Sequence, residues 1–183
     1  MAEGAETLAA ELSGVARKGA QIKVAALDSA RLDDLVILAL RYPVNRQVVE
    51  QLGARLAGKT VVDIANPLNS TYDDLAVPAD SSSPEELAKV TPAGTKFVKA
   101  LNTAFASTLV AGNVAGQKLD IFIAGDDAGA KQAVAQLVRD GDMTPIDVGA
   151  LTRACLLESL GLLGVTLQGP LNLTWSSGWR LVH

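Results

Sequence analysis

Histidine and cysteine are almost absent from this sequence of 183 residues, which has one of each, His183 and Cys155. A single cysteine cannot form an internal disulfide, which favours a reducing compartment, and we expect the cytoplasm. A single histidine at the last position excludes histidine-based triads and HExxH zinc sites within the chain. We therefore predict no metal site and no catalytic acid–base side chain.

Basic stretches and long apolar runs are also missing. Lys and Arg number 16 against 20 Asp and Glu, a formal net charge of −4. No stretch is basic enough to follow a phosphate backbone, which argues against nucleic acid as a partner. The longest apolar runs, such as residues 35–40, are far shorter than the ~20 residues of a membrane helix. The first residues lack the basic and apolar parts of a signal peptide, so we expect no membrane partner.

Apolar residues, in contrast, make up 49% of the chain, enough to bury a core and to exclude disorder. Short β-rich runs alternate with helical patterns, which predicts an α/β fold with a parallel sheet covered on both faces. We predict strands at residues 22–26, 34–40, 59–65, 96–101, 119–124 and 143–148. We predict helices at residues 6–17, 44–57, 128–139 and 150–168, and a short helix that opens at the capping-box pattern of residues 83–86.

Two of these elements allow a prediction of burial. The strand predicted at residues 34–40 contains a continuous apolar run, residues 35–40, which indicates burial on both faces. The helix at residues 44–57 has one apolar stripe, and its members lie four residues apart. They are Val44, Val48, Leu52 and Leu56.

Residues 53–60 match the phosphate-loop pattern GxxxxGK[ST]. That motif needs a strand before the loop and a helix after it, so that backbone amides at the helix start face the phosphates. Here a predicted helix precedes the pattern and a predicted strand follows it. We therefore interpret Gly58 as a helix terminator and Lys59 as a cation near the helix end.

Four short segments directly follow predicted strands: residues 41–43, 66–67, 102–103 and 125–127. Ligands of open parallel sheets bind at the carboxyl ends of the strands, so these segments are the candidate binding positions. The irregular stretch at residues 67–83, rich in Ser, Asp and Pro, is long enough to carry function or to cover a site.

Several blocks of the sequence carry a resemblance to a known family. They include VILALRYP at residues 36–43, VVDIANPLN at 61–69 and VKALNTAF at 98–105, with further blocks at 82–88, 123–128, 145–151 and 156–160. In order and spacing the chain resembles the coenzyme F420-dependent NADP oxidoreductase family. The Rossmann-type domain of that family also occurs as the NADPH-binding part of six-transmembrane metalloreductases. The resemblance implies a Rossmann-like, doubly wound, mostly parallel sheet.

One part of the family pattern is missing. Family members begin with a strand, a GxGxxG turn, a helix and a second strand, and this sequence contains no GxGxxG. We expect a fold truncated at its N-terminal βαβ unit, in which the strand at residues 34–40 becomes an exposed apolar edge. We expect a longer native gene product, or an edge that pairs with another chain. Residues 1–149 would form the incomplete dinucleotide-binding domain, and residues 150–183 a helical segment that packs on it or forms a homodimer contact.

The resemblance also implies a site. The cofactor-binding residues would be Leu40, Arg41, Tyr42, Pro43, Asn66 and Pro67, and the substrate-binding residues would be Asn102, Thr103 and Phe105. For each segment a simpler interpretation stays open. Arg41 would be a solvated side chain before a helix-opening proline, residues 66–67 a strand-ending turn, and residues 102–103 the N-cap of a short helix.

Other polar and aromatic residues have mainly structural interpretations. We interpret Asp126 and Asp127 as helix caps, and Asp63 and Asp120 as sheet-end polar groups. Cys155 is interpreted as a small core residue. The two tryptophans, Trp175 and Trp179, would pack as a stapling or dimer-contact pair, or would wall a pocket for a flat ring.

Two functions from different classes follow. The first is an oxidoreductase that transfers a hydride between NADPH and a deazaflavin (coenzyme F420), a flavin or a related acceptor. Cofactors carry this chemistry and the protein orients them, so few reactive side chains are needed. The second is a non-catalytic, cofactor-poor remnant that acts as a binding or oligomerisation module. A minor third option is a domain of a membrane metalloreductase.

Overall fold

The computed structural model describes residues 2–16 and 20–182. His183, and Arg17 at the predicted end of the first helix, lie outside the described residues. The chain divides into two compact units, Met1–Leu32 and Asp33–His183. No helix among the described residues is long and apolar enough to cross a membrane.

The described part of the first unit consists of helix α1 (Ala2–Val15) and irregular backbone. The strand predicted at residues 22–26 is wrong, because residues 20–26 have no regular structure and Ile22 and Val24 are exposed. A strand needs a neighbour that bonds its backbone groups. All strands of the described sheets come from residue 35 onward.

The second unit alternates strands and helices. Its strands are β1 (Leu35–Leu38), β2 (Thr60–Asp63), β3 (Lys96–Lys99), β4 (Asn113–Val114), β5 (Gln117–Lys118), β6 (Asp120–Gly125) and β7 (Thr144–Gly149). Its helices are α2 (Tyr42–Leu52), α3 (Ser83–Ala88), α4 (Ala106–Ala111), α5 (Ala128–Asp140), α6 (Ala154–Thr166) and α7 (Gln168–Leu171). Turns of 3₁₀ helix follow α2 at Gly53–Leu56 and precede α6 at Leu151–Arg153.

Five strands form one sheet in the order β1-β2-β3-β6-β7. The pairs β1–β2, β2–β3 and β6–β7 are parallel, and only the β3–β6 pair of this sheet is antiparallel. This architecture confirms the predicted α/β, Rossmann-like fold with a mostly parallel sheet. Short strands β4 and β5 form a separate antiparallel hairpin.

Strand β1 lies at the edge of the sheet, where β2 is its partner. Burial on both faces is therefore a wrong prediction for this strand, because Ile37 is 43% exposed. The apolar edge expected for residues 34–40 is present. Such an edge offers unpaired backbone groups to another chain.

The core lies on both faces of the sheet. Val62 and Val98 belong to a buried cluster that includes Val134 and Val138 of α5. Successive strand residues point to opposite faces, so the equally buried neighbours of these two valines in β2 and β3 face the other side.

Helix α2 buries a different stripe from the predicted one. Val44 is exposed and the adjacent Asn45 is fully buried, whereas Leu52 and Leu56 are buried as expected. The shift has a polar cause, because Asn45 Nδ2 donates a hydrogen bond to Asp63 Oδ1 at 3.3 Å.

The reversed direction of β6 corrects one site prediction. Gly125 ends β6 and residues 126–127 follow it, and the contact of 3.2 Å between Asp127 Oδ2 and Lys96 Nζ lies at the start of β3. These residues therefore lie at the end of the sheet opposite to the carboxyl ends of β1, β2 and β3. The cap interpretation is confirmed for Asp127, which is the N-cap of α5 and accepts from the Ala130 N–H at 2.7 Å. Asp126 accepts instead from the Leu151 N–H at 2.9 Å, at the 3₁₀ turn before α6.

The phosphate-loop pattern has the helix-then-strand order predicted for it. Gly58 has a φ of +74° after the 3₁₀ turn, and β2 begins at Thr60. Lys59 Nζ lies 3.2 Å from Asp34 Oδ1. No helix N-terminus follows this loop, so it cannot hold phosphate in the way the motif requires.

Candidate functional site

An open cleft of about 1090 Å³ lies beyond the carboxyl ends of β1 and β2. It is lined by residues 39–44, 64–66, 68–70 and 72. Both strands are parallel and adjacent, which brings the two loops that follow them to the same edge of the sheet. This is the edge at which open α/β sheets bind ligands.

Most of the predicted cofactor-binding residues meet in this cleft. Leu40, Arg41, Tyr42, Pro43 and Asn66 line it. Pro67 comes next in the chain, and its carbonyl accepts a hydrogen bond from the Ala76 N–H at 2.6 Å.

Arg41 occupies a position with two roles. It is the N-cap residue of α2, and Pro43 lies in the first turn of that helix. The backbone therefore agrees with the simpler interpretation, in which Arg41 precedes a proline that opens a helix. Its guanidinium also lines the cleft, donates to the Tyr72 hydroxyl and lies 5.9 Å from the centroid of the Tyr72 ring. Tyr72 was not among the site residues predicted from the sequence. Its backbone has a φ of +61°, which is unusual for a residue with a side chain.

Tyr42 is partly buried at the start of α2. Its pKa is raised, first by burial and then by the nearby Glu86 carboxylate. The hydroxyl is therefore protonated at neutral pH and can act as a hydrogen-bond donor or acceptor.

Asn66 and Asn102 form a reciprocal amide pair. Asn66 Nδ2 donates to the Asn102 carbonyl, and Asn102 Nδ2 donates to Asn66 Oδ1, both at 2.8 Å. Asn102 Nδ2 also donates to the Leu157 carbonyl at 2.9 Å. Asn102 is buried, so its amide acts on the cleft through Asn66. The N-cap interpretation of residues 102–103 is wrong, because the N-cap of α4 is Phe105.

Helix α6 approaches this amide pair at a glycine. A Cβ atom on Gly161 would lie 2.6 Å from both Oδ1 and Nδ2 of Asn66, closer than van der Waals contact allows. Only a residue without a side chain permits this approach of the helix to Asn66.

Thr103 and Phe105 line a second, smaller pocket of about 170 Å³. Its other walls include Trp179 and Gly164. Trp175 packs edge-on against Phe105, with ring centroids 5.3 Å apart. Of the two tryptophans, Trp179 lines this pocket, in agreement with the interpretation in which they wall a pocket for a flat ring.

Beneath the cleft lies a fully buried group of three charged side chains. Lys99 Nζ donates to Asp63 Oδ2 at 2.9 Å and to Glu158 Oε1 at 2.7 Å. Burial, opposed by the Lys99 ammonium, raises the pKa of Glu158. Its Oε1 also accepts from the Ser83 N–H at 3.0 Å, and its Oε2 has no hydrogen-bond partner among the described residues.

Sequence reasoning missed this cluster, although a signal was available. Asp63 and Lys99 are the last residues of their strands and are direct partners in the parallel register. The sheet-end interpretation of Asp63 fits its position. Glu158 comes from α6, and no local pattern links it to the strands. Asp120, the other sheet-end residue, accepts from the Leu181 N–H at 2.7 Å.

Cys155 is only partly buried, so the prediction of a core residue is wrong. It lies near the start of α6, where its Sγ donates to the Thr152 carbonyl at 3.3 Å. Among the described residues, no group of three His, Cys, Asp or Glu side chains could hold a metal ion.

Comparison with known proteins gives the family of this chain. No family model matches the chain. The chain is 36% identical over 111 residues to metalloreductase STEAP3 of Rattus norvegicus, covering 61% of this chain and 22% of that protein. It is 32% identical over 149 residues to the F420-dependent NADP reductase of Methanocaldococcus jannaschii, covering 77% of this chain and 66% of that protein. The chain thus spans about a fifth and about two thirds of these curated relatives.

A solved structure gives the same relationship. A candidate F420-dependent NADP reductase from Arthrobacter sp. FB24 superposes with a TM-score of 0.75 and 33% identity, covering 82% of this chain and 69% of that one. Fold and cleft therefore define a Rossmann-like protein with an open cleft beyond the carboxyl ends of its parallel strands. Within that class, the chain belongs to the F420-dependent NADP reductase family.

Proposed function

We propose that this chain is an NADPH-dependent oxidoreductase that transfers a hydride between NADPH and a deazaflavin or related acceptor. One observation carries the proposal. The two blocks at residues 36–43 and 61–69, which bear the family resemblance, come together in one open cleft at the ligand-binding edge of the sheet.

The residues of the cleft suit an anionic cofactor with a flat ring. Arg41 supplies a cation, and the N-terminus of α2 beside it favours negative charge. Leu40 and Pro43 supply apolar surface, and Tyr42 a ring and a hydroxyl. Asn66 and Pro67 form the turn that would border the reacting end of the cofactor.

The three predicted substrate-binding residues, Asn102, Thr103 and Phe105, have different roles. Thr103 and Phe105 line the aromatic-walled pocket and are available to a ligand there. Asn102 is buried and fixes the Asn66 amide instead of contacting the acceptor directly.

NADPH, when bound, supplies the hydride, so the chain itself needs no nucleophile or general base. Its own residues bind, orient and shield. The Arg41 guanidinium and α2 bind the anionic part, the Asn66 side chain sets the orientation of a ring, and apolar walls exclude water.

Titration calorimetry with NADPH tests the proposal, followed by absorbance at the NADPH band with F420 or FMN added. We expect one binding site per chain and acceptor-dependent loss of NADPH absorbance. Arg41→Ala should weaken NADPH binding about tenfold, the loss of one charge-assisted contact. Arg139→Ala, an exposed arginine of α5 that does not line the cleft, is the control. Self-association without NADPH binding would instead support the non-catalytic module.

We also propose a homodimer. Leu156 and Leu163 lie two turns apart on one face of α6 and are 62% and 47% exposed, and the edge strand β1 exposes Ile37. Sedimentation velocity should give a dimer that Leu156→Glu dissociates. A monomer for the wild-type chain at all concentrations would contradict the proposal.

A further inference from the structure

We propose that Lys99 is a positioning residue of the cleft, one that fixes the Ala65–Asn66 turn from below and so sets the orientation in which Asn66 meets a bound ring. The inference rests on the proposed function for its consequence, but its geometry is independent of any ligand. Lys99 itself is fully buried and does not line the cleft.

Both backbone polar groups of Ala65 are bonded by members of the buried cluster. Asp63 Oδ1 accepts from the Ala65 N–H at 3.1 Å, and Lys99 Nζ donates to the Ala65 carbonyl. The peptide that joins Ala65 to Asn66 is thereby fixed in orientation, directly after β2 and in the wall of the cleft.

The side chain of Asn66 is bonded twice to Asn102, and Gly161 of α6 packs against the Asn66 amide without room for a methyl group. Backbone and side chain are therefore both constrained, the backbone by Lys99 and the side chain by its neighbours.

Burying three charged side chains together has a cost in free energy. Lys99 lies between two buried carboxylates, and burial raises the pKa of Glu158. Well-packed apolar residues often replace such clusters without loss of stability, so stability alone does not account for the cluster. The hydrogen bond to the Ala65 carbonyl gives the ammonium a task in the cleft that an apolar side chain could not perform.

The test compares two variants of the full chain, Glu158→Gln and the double variant K99M/E158Q. Both lack the Glu158 charge. They differ in the Lys99 ammonium, which carries the bond to the Ala65 carbonyl. In the double variant the remaining carboxylate of Asp63 keeps its bonds from Asn45 and from the Ala65 N–H.

Two readouts distinguish positioning from general stabilisation. The first is ligand-free: the side-chain amide resonances of Asn66 in a ¹⁵N spectrum and their rate of hydrogen exchange. The second is the Kd for NADPH and the KM and kcat of hydride transfer. We expect E158Q to resemble the wild type in both. K99M/E158Q should shift the Asn66 amide resonances, speed their exchange and weaken NADPH binding about tenfold.

Unchanged Asn66 resonances and unchanged affinity in K99M/E158Q would overturn the inference. If the wild type binds no NADPH, the proposed function fails, and the Asn66 spectrum still decides whether Lys99 positions the turn.

Gly161→Ala gives a second route that leaves the buried charges intact, and it tests the orientation of Asn66, on which the role of Lys99 depends, even if the double variant does not fold. The new Cβ displaces the Asn66 amide, so NADPH affinity should fall while the Lys99 contacts persist. Gly169→Ala in α7, where an added Cβ meets no heavy atom within 4 Å, is the control. Equal NADPH affinity in G161A and G169A would contradict the role given to Asn66.

Discussion

Replacing Lys99 alone with methionine removes the only counter-ion that the structure gives to two buried carboxylates among the described residues. Asp63 retains hydrogen bonds from Asn45 and Ala65, and Glu158 retains the one from the Ser83 N–H. Breaking a buried ion pair from one side costs about 3–5 kcal/mol. Since small domains have unfolding free energies of about 5–15 kcal/mol, K99M should lose a large share of its stability.

The loss should depend on Glu158. With glutamine at that position, one of the two unpaired charges is gone, and K99M should then cost only about 1–2 kcal/mol. E158Q alone should change stability by less than about 1 kcal/mol, because the amide oxygen can still accept from Lys99 and from Ser83. The double-mutant cycle should therefore give a coupling energy of about 2–3 kcal/mol.

Urea unfolding followed by circular dichroism measures all four proteins of this cycle at pH 7. The slope of the unfolding free energy against urea should be the same in each, so that midpoints compare stability directly. A coupling energy near zero would refute the reasoning. So would a K99M protein as stable as the wild type, since either result means that the carboxylates do not need the ammonium.

Three further predictions follow from the structure. The pKa of Glu158 is raised in the folded state, so the folded chain holds the proton of this carboxyl group more tightly than the unfolded chain. The unfolding free energy of the wild type should therefore fall as pH rises through the folded-state pKa, and the fall should be smaller in E158Q. Ile121→Ala, at a fully buried core position, should cost about 2–5 kcal/mol in urea unfolding, and a cost below about 1 kcal/mol would argue against the described core. Ile37→Lys, on the exposed edge strand, should lower self-association in sedimentation velocity without lowering the thermal midpoint.

Elements with strong local patterns were predictable from the sequence. The strand at β2, the helix at α5 with its Asp127 cap and the proline-initiated helix α3 all appear close to their predicted positions. In each case the signal lies within about a dozen neighbouring residues. The apolar run at residues 22–26 had the same kind of signal but no strand beside it, and local patterning could not reveal that.

The direction of strand β6 was harder to predict from the sequence. The apolar run of β6 reads the same in either direction, and its orientation depends on the connection from β3. That connection contains α4 and the β4–β5 hairpin, whose two-residue strands leave no periodic pattern. The antiparallel pairing of β3 with β6 therefore could not be predicted, and residues 125–127 were assigned to the wrong edge.

The candidate site was partly predictable, because its loops follow strands directly. The cleft residues of β1 and β2 were named from that position and from the family resemblance. What could not be predicted depends on long-range contacts. Lys99 and Glu158 are 59 positions apart, and Tyr72 reaches Arg41 from within an irregular loop.

Calorimetric titration of the full chain with NADPH is the measurement that tests the central claim most directly. The account predicts saturable binding to one site per chain, weakened about tenfold by Arg41→Ala and unaffected by Arg139→Ala. No heat of binding from a folded wild-type chain, or equal affinity in the two arginine variants, would contradict the assignment of the cleft.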